Sequence, residues 1–359
     1  PAELTGHVAS HWGQPDPTGS FANTPYLYGI ANNMPGEFPT GFTRTVRARD
    51  LAVVEQTINA TSEHKAEKTV TGLIPGVGGT WTPIISLDLP TRMRLNLDGG
   101  PIKWQTRLAE VAPGTDPQWP FPVEVTILEG EVTQYQAGRN VKERWNAAAF
   151  VPTAGLGARL KDEMYLGIYT NTDADGHRGF TATDTASSKL YRDGQLVTES
   201  TDFGYLEVAG LPAAEAQYKY VTSGTRASVS GLSTRTDLAL TFRSAASEDE
   251  VLLPLRTVRY QPAVDLRNSV KRSPVTVLPV VVDGLPDATL PAVKHLELQV
   301  SGDDGKTWHA AAVVPAGKGA YKAIFATPKG AGTVSLKAHL VDAGGNITDQ
   351  TTIAAYALR

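Results

Sequence analysis

Residues 171–177, which read Asn-Thr-Asp-Ala-Asp-Gly-His, place oxygen-bearing side chains at alternate positions before a glycine. Asn171, Asp173 and Asp175 thereby match the first half of a calcium loop of EF-hand type. The second half does not match, because Ala182 stands at the twelfth position, where a bidentate acid is needed. The alternative is a turn whose side chains bond to their own backbone. The sequence favours the turn, and calcium is the one cofactor that it leaves open.

Other residue types that carry chemistry give no catalytic pattern. The seven histidines are scattered, no G-x-S-x-G segment occurs, and the chain has no cysteine. Because cysteine is absent, thiolate nucleophiles and thiolate metal sites are excluded. His7 and His11 are four residues apart, but the residues between them do not form H-E-x-x-H, so we expect an exposed segment rather than a zinc pair.

Residues 301–308 have the pattern of a β-hairpin turn. Ser301, Asp303, Gly305, Thr307 and Trp308 form the pattern S-x-D-x-G-x-T-W between two alternating apolar runs. The pattern resembles the Asp-box hairpin of sialidase propellers and secreted β modules. In such a turn Asp and Thr hold the loop together and Trp packs beneath it. We interpret these five residues as a structural hairpin and assign them no catalytic role.

Alternation of apolar and polar residues with a period of two dominates the whole chain. Short runs of this kind are separated by Gly- and Asp-rich turns, which is typical of antiparallel strands. The sequence therefore predicts an all-β protein made of tandem antiparallel β-sandwich domains. We place a β-rich domain at 1–141, a β-sandwich at 142–248, and an immunoglobulin- or fibronectin type III-like β-sandwich at 249–359.

Composition narrows the classes of partner. The 359 residues carry a net charge of −4, and no basic run exceeds two residues, which argues against nucleic acid and against a membrane surface. A secreted eukaryotic β protein of this size usually carries disulfides, whereas cysteine-free secretion is common in bacteria. The chain opens on Pro1 without a signal peptide, so we expect a processed product or part of a longer protein.

Aromatic residues are the remaining candidates for ligand contact. In β-rich proteins most tryptophans lie in the core, whereas an exposed row of rings forms a platform for carbohydrate or peptide. The Tyr26/Tyr28 and Tyr218/Tyr220 pairs are each expected to expose one ring. The tryptophans considered are Trp12, Trp81, Trp104, Trp119, Trp145 and Trp308.

Several short motifs, taken in order, resemble a known family. They are the segments 143–150 (ERWNAAAF), 189–194 (KLYRDG), 211–214 (LPAA), 242–245 (FRSA), 253–260 (LPLRTVRY) and 354–358 (AAYAL). Their order and spacing resemble the C-terminal region of the large secreted subtilisin-like (S8) serine peptidases of Streptomyces and related actinobacteria. The resemblance is strongest from residue 143 onward.

The resemblance implies a secreted, extracellular parent whose protease domain lies upstream in the same chain. None of the three catalytic signatures of the family occurs here, so no catalytic residue is transferred and this region is expected to be non-catalytic. We expect a spacer, stabilising or substrate-presenting role beside a serine endopeptidase. The alternative is a module that binds polysaccharide or cell wall, with protein or polysaccharide as the partner. A contiguous strip of exposed aromatic rings would favour the binding module over the accessory role beside a protease.

Overall fold

The computed structural model describes residues 5–35, 41, 43–80, 82–118 and 120–359. The predicted all-β class is confirmed, because the described segments form strands joined by turns, with a single short 3-10 turn at Ala48–Asp50. The periodicity of segment 46–58 permits either one short helix or two strands, and the structure has this short turn followed by one strand there. Within the described part of the chain, no helix has the length and apolar character needed to cross a membrane.

The chain divides into two compact units, Pro1–Asn146 and Ala147–Arg359. The first border lies close to the expected one at residue 141. At the second expected border, near residue 248, the compact unit continues, and each of its two hydrophobic clusters contains residues from both sides of that position. The reason is a backbone ladder that joins strands from both sides.

The first unit contains two sheets that pack against each other. One has the order β1-β2-β7-β3-β10, and the other has the order β5-β4-β8-β9, with β6 beside β4. Its strands are β1 (Thr5–Gly13), β2 (Tyr26–Pro35), β3 (Leu51–Ile58), β4 (Lys65–Ile74), β5 (Gly78–Gly79), β6 (Ile85–Asp88), β7 (Thr91–Asp98), β8 (Lys103–Ala112), β9 (Val123–Glu129) and β10 (Asn140–Trp145).

The first sheet is mixed, unlike the antiparallel sheets expected. Strands β2 and β7 run parallel, as do β3 and β10, while the remaining pairs are antiparallel. A parallel neighbour requires a long connection, and the chain between β3 and β10 builds the whole second sheet. Inward-facing residues of both sheets, among them Val54, Val70, Leu95 and Leu108, form one buried cluster.

The second unit is built from the remaining strands. They are β11 (Val151–Leu160), β12 (Glu163–Thr172), β13 (Thr185–Arg192), β14 (Gln195–Ser200), β15 (Tyr205–Val208), β16 (Ala216–Thr225), β17 (Arg235–Ser244), β18 (Val251–Leu252), β19 (Arg256–Tyr260), β20 (Ser269–Val270), β21 (Val275–Gly284), β22 (Val293–Ser301), β23 (His309–Gly317), β24 (Ala320–Ala326), β25 (Thr333–Asp342) and β26 (Ile347–Leu358).

Two sandwiches share one hydrogen-bonded sheet in this unit. Strands β15-β12-β11-β18 face strands β14-β13-β16-β17 across one apolar cluster. Strand β17 then pairs with β26 over residues 235–241, and the ladder continues through β25 and β22 to β23. Strand β23 passes from β22 to β24, so that β24-β21-β19 pack over β26-β25-β22 around a second cluster.

Candidate functional site: an aromatic face on the first sheet

Three aromatic side chains lie exposed on one face of the first sheet. Trp12 of β1 is 63% exposed, and Tyr26 and Tyr28 of β2 are each 36% exposed. Trp12 is the register partner of Tyr28, so the two rings project from neighbouring strands on the same side. The rings of Tyr26 and Tyr28 meet edge to face, with their centroids 5.8 Å apart. We call Trp12, Tyr26 and Tyr28 the aromatic face.

Alternation along β2 explains why these rings point away from the core. Leu27 and Ala31 lie buried on the opposite side of the strand. Gly29 lies between them on that side, where an added methyl group would come within 2.7 Å of Trp104. The indole of Trp104 is buried, and its Nε1 donates to the Asp98 carbonyl at 2.9 Å. The back of the sheet is thereby filled, and the tyrosines remain on the open side.

A groove of about 420 Å³ runs beside the aromatic face. Trp12 and Tyr28 line it together with apolar side chains, including Ile30 and Leu51, and with the polar side chains of Arg47 and Asn96. Ligand sites combine apolar walls with a few placed polar groups in this way. All of these residues belong to the first unit.

Charged groups flank the rings on the same sheet. Arg94 of β7 is the register partner of Tyr26, and its Nη2 lies 3.7 Å from Glu55 Oε1. Further along, Arg44 donates to both carboxylate oxygens of Asp98, at 2.6 and 3.0 Å. The hydrogen bond to Asp98 raises the pKa of Arg44. Amide, guanidinium and carboxylate groups therefore adjoin the rings, as hydroxyl-rich ligands require.

The two tyrosine pairs behave differently from the expectation of one exposed ring in each. Tyr26 and Tyr28 are both exposed, whereas Tyr218 and Tyr220 are both buried. Residues i and i+2 of a strand lie on the same face, so each pair shares one environment. Among the tryptophans, Trp104 and Trp145 are core residues, and Trp81 and Trp119 lie outside the described residues.

The candidate calcium residues lie in a hydrogen-bonded turn. Asp173 is buried, and its Oδ1 accepts backbone N–H bonds from Asp175, Gly176 and His177, each at 3.0 Å. Its Oδ2 lies 2.8 Å from His177 Nδ1. Asn171 Oδ1 accepts from the Arg226 guanidinium at 3.0 Å. Both Asp173 oxygens and the Asn171 oxygen thus already have partners within the protein. Calcium binding here stays a prediction.

Within the described residues the same turn occurs at four places, a repeat that the sequence analysis above does not contain. In each, an Asp N–H donates to the carbonyl four residues later, and the N–H of the fourth turn residue donates back to the Asp carbonyl. That fourth residue has a positive φ, which favours Gly or Asn. The signal D-x-x-[G/N] is visible in the sequence. The turns begin at Asp16, Asp173, Asp265 and Asp342.

The hairpin at 301–308 has the local bonds of a structural turn. Asp303 Oδ1 accepts from the Thr307 N–H at 2.9 Å, and its Oδ2 accepts from the Thr307 hydroxyl at 2.6 Å. Ser301 Oγ accepts from the Gly305 N–H at 2.9 Å. The hydrogen bonds that the Thr307 and Ser301 hydroxyls donate to Asp303 lower the pKa of its carboxyl group. The Trp308 ring is half-buried, so the turn does not enclose it fully. Its Cζ2 lies against Gly305.

Histidines and acids give no metal cluster in the part of the chain that the structure describes. His11 Nε2 lies 3.1 Å from the Val70 carbonyl, and burial lowers its pKa. His7 and His11 lie on strand β1, where residues four apart are separated by about 13 Å, too far for one zinc ion. Comparison with models of known families gives no match, and a search of curated proteins gives none. Function is therefore inferred from the geometry of the site.

Proposed function

We propose that the chain is a non-catalytic region that binds polysaccharide, with the aromatic face as the binding surface. The observation that carries the proposal is the row of three exposed rings on adjacent strands beside an open groove. Large aromatic side chains are costly to leave in water, and a contiguous exposed group of them usually marks an interaction site.

Sugar rings fit this surface chemically. A pyranose has an apolar C–H face that stacks on an aromatic ring and a rim of hydroxyls that need donors and acceptors. Trp12 and Tyr28 supply the stacking surface, and Asn96, Arg94 and Glu55 supply polar groups around it. A glycan of several units is the expected ligand, because the rings and the groove extend across neighbouring strands.

Sedimentation with insoluble polysaccharides tests the proposal. The chain is mixed with cellulose, chitin and purified bacterial cell wall, and the bound fraction is measured. We expect retention on one of these polymers and a loss of about thirtyfold in affinity for Trp12→Ala, since a central aromatic contact contributes on the order of 2 kcal/mol.

Tyr205→Ala is the matched control. Tyr205 lies on the second unit and is 46% exposed, so the variant removes an exposed ring elsewhere and is expected to bind like the wild type. No retention on any of the polymers overturns the proposal. Equal retention of wild type and Trp12→Ala overturns the assignment of the aromatic face.

A secreted subtilisin-like endopeptidase is the second candidate context, with this chain as its accessory region. The order of the motifs from residue 143 onward supports it. In this context, a polysaccharide-binding first unit holds an upstream protease domain at an extracellular polymer.

We also propose that the sandwich from β19 to β26 is of the immunoglobulin-like or fibronectin type III-like kind. Three strands, β19-β21-β24, face four strands, β23-β22-β25-β26. Such a three-over-four arrangement supports this type of sandwich.

A further inference from the structure

A cluster of polar side chains lies enclosed between the two sheets of the first unit. Lys68 projects inward from β4, Gln56 from β3, and Glu143 and Trp145 from β10. The side chains of Lys68, Gln56 and Trp145 are each at most 1% exposed. Gln56 and Glu143 are register partners on adjacent parallel strands, so their side chains lie next to each other.

Glu143 is the centre of this cluster. Its Oε2 accepts from Gln56 Nε2 at 2.8 Å and from Trp145 Nε1 at 3.0 Å, and its Oε1 accepts from the Tyr135 hydroxyl at 2.6 Å. Burial alone would raise the pKa of Glu143, but these three hydrogen bonds outweigh it and hold the pKa below its usual range. Glu143 is therefore an ionised carboxylate inside the unit.

Lys68 carries an amine that the fold leaves unsatisfied. Its Nζ lies 4.8 Å from the centre of the Trp145 ring and has no hydrogen-bond partner among the described residues. Gln56 Oε1 is likewise buried and without a partner there. Burial lowers the pKa of Lys68 to about 7, against the opposing effect of Glu143. A substantial fraction of the amine is therefore neutral and nucleophilic near neutral pH.

We propose that Lys68 and Gln56 form an intramolecular amide crosslink, with Glu143 as the group that transfers the proton. A buried amine, a buried primary amide and a carboxylate bonded to that amide are the three parts this reaction needs. The crosslink joins β4 of one sheet to β3 of the other. It also removes a buried amine that the fold otherwise leaves without a hydrogen-bond partner.

The bond changes balance without any further reactant. The Lys68 Nζ lone pair attacks Gln56 Cδ, and Glu143 takes a proton from the attacking nitrogen. The Cδ–Nε2 bond then breaks, Glu143 returns the proton to the leaving nitrogen, and ammonia departs. Lys68 Nζ and Gln56 Cδ remain joined as a secondary amide. The reaction requires Lys68 Nζ to move from its position over Trp145 to the carbonyl carbon of Gln56, by rotation about the bonds of the lysine side chain.

Intact-mass spectrometry of the purified chain is the direct test. We expect a mass lower than that of the sequence by one ammonia, and a protease digest in which the peptides containing residues 56 and 68 are joined. The full sequence mass in the folded wild type overturns the proposal. A deficit of one water, with Lys68 joined to Glu143, overturns it as well.

Variants assign the roles. Lys68→Met and Glu143→Gln are each expected to have the full mass of their own sequences. Lys65→Met is the matched control, because Lys65 lies on the same strand with an exposed side chain and should keep the deficit. Loss of the deficit in Lys65→Met, or its persistence in Lys68→Met or Glu143→Gln, overturns the assignment.

The pH dependence of stability gives an independent measurement. A free Lys68 has a lower pKa in the folded than in the unfolded chain, so the folded state would gain stability as pH rises from about 7 towards the usual lysine pKa of about 10.4. A crosslinked Lys68 does not titrate. We therefore expect the stability difference between wild type and Lys68→Met to be the same at both ends of this range. A difference that grows with pH overturns the crosslink.

Discussion

A single aspartate closes each of the four related turns, but the burial of that aspartate differs from turn to turn. Asp173 has no exposed side-chain surface, whereas Asp16 is only partly buried. Both accept N–H bonds from the residues two and four positions later. These hydrogen bonds should therefore contribute more to the free energy of unfolding at Asp173, where water has less access to replace a lost acceptor.

Replacing Asp173 with Ala should destabilise the second unit by about 3 kcal/mol, because it removes a buried acceptor of three part-buried N–H bonds. Asp16→Ala, which removes the same kind of acceptor where water has access, should cost clearly less. Urea unfolding of both variants measures the difference. Equal losses would show that burial does not decide the strength of this turn.

Calcium provides a second prediction for the turn at Asp173. Since both Asp173 oxygens have partners in the protein, calcium would have to displace those hydrogen bonds before it could bind. We expect the melting temperature to be unchanged by EDTA or by added calcium, as measured by thermal unfolding in metal-free buffer. A rise in melting temperature that depends on calcium concentration would establish the ion site instead.

Among the structural elements, the hairpin after β22 combines a local hydrogen-bond network with a half-buried indole. Trp308 lies against Gly305, and Gly305 in turn lies close to Ile353 of β26. The ring thus contributes to packing at the edge of the second unit while part of it meets solvent. Its contribution should be smaller than that of a fully buried tryptophan.

Trp308→Ala should lower the free energy of unfolding of the second unit by about 2 kcal/mol, below the usual cost of deleting a fully buried aromatic. Trp12→Ala is the comparison, since that ring is 63% exposed and its removal should change stability by less than about 0.5 kcal/mol. Thermal unfolding of both variants gives the values. An unchanged stability for Trp308→Ala would indicate that the ring binds a ligand rather than packing.

The sequence predicts the strands well and their arrangement poorly. Alternation at 334–340 identifies β25, because a strand with one buried face has a local signature. The parallel pairing of β3 with β10 joins residues about ninety positions apart, and nothing local specifies it. The aromatic face depends on the register between Trp12 and Tyr28, which the loop between β1 and β2 determines. For this reason the tyrosine pair is visible in the sequence, but its tryptophan neighbour is not.

For the whole molecule, the expected activity is binding without turnover. A serine-peptidase mechanism needs a nucleophile, a base and an orienting acid, and the loss of one member removes most of the rate. None of the subtilisin-type signatures occurs in the sequence. We expect no hydrolysis of casein or of generic peptide substrates by this chain. Turnover that a serine-directed inhibitor blocks, in a preparation free of host protease, would contradict this.

The position of β26 has a mechanical consequence. This strand lies between β17 and β25 in the continuous sheet, and its end also pairs with β20 in parallel. A force pulling on its carboxyl end along the strand loads the hydrogen bonds of both long neighbours in shear, so that many must break together. An edge strand pulled sideways would instead lose its bonds one at a time. The second unit should therefore resist tension applied along β26 more strongly than a sheet whose last strand lies at its edge.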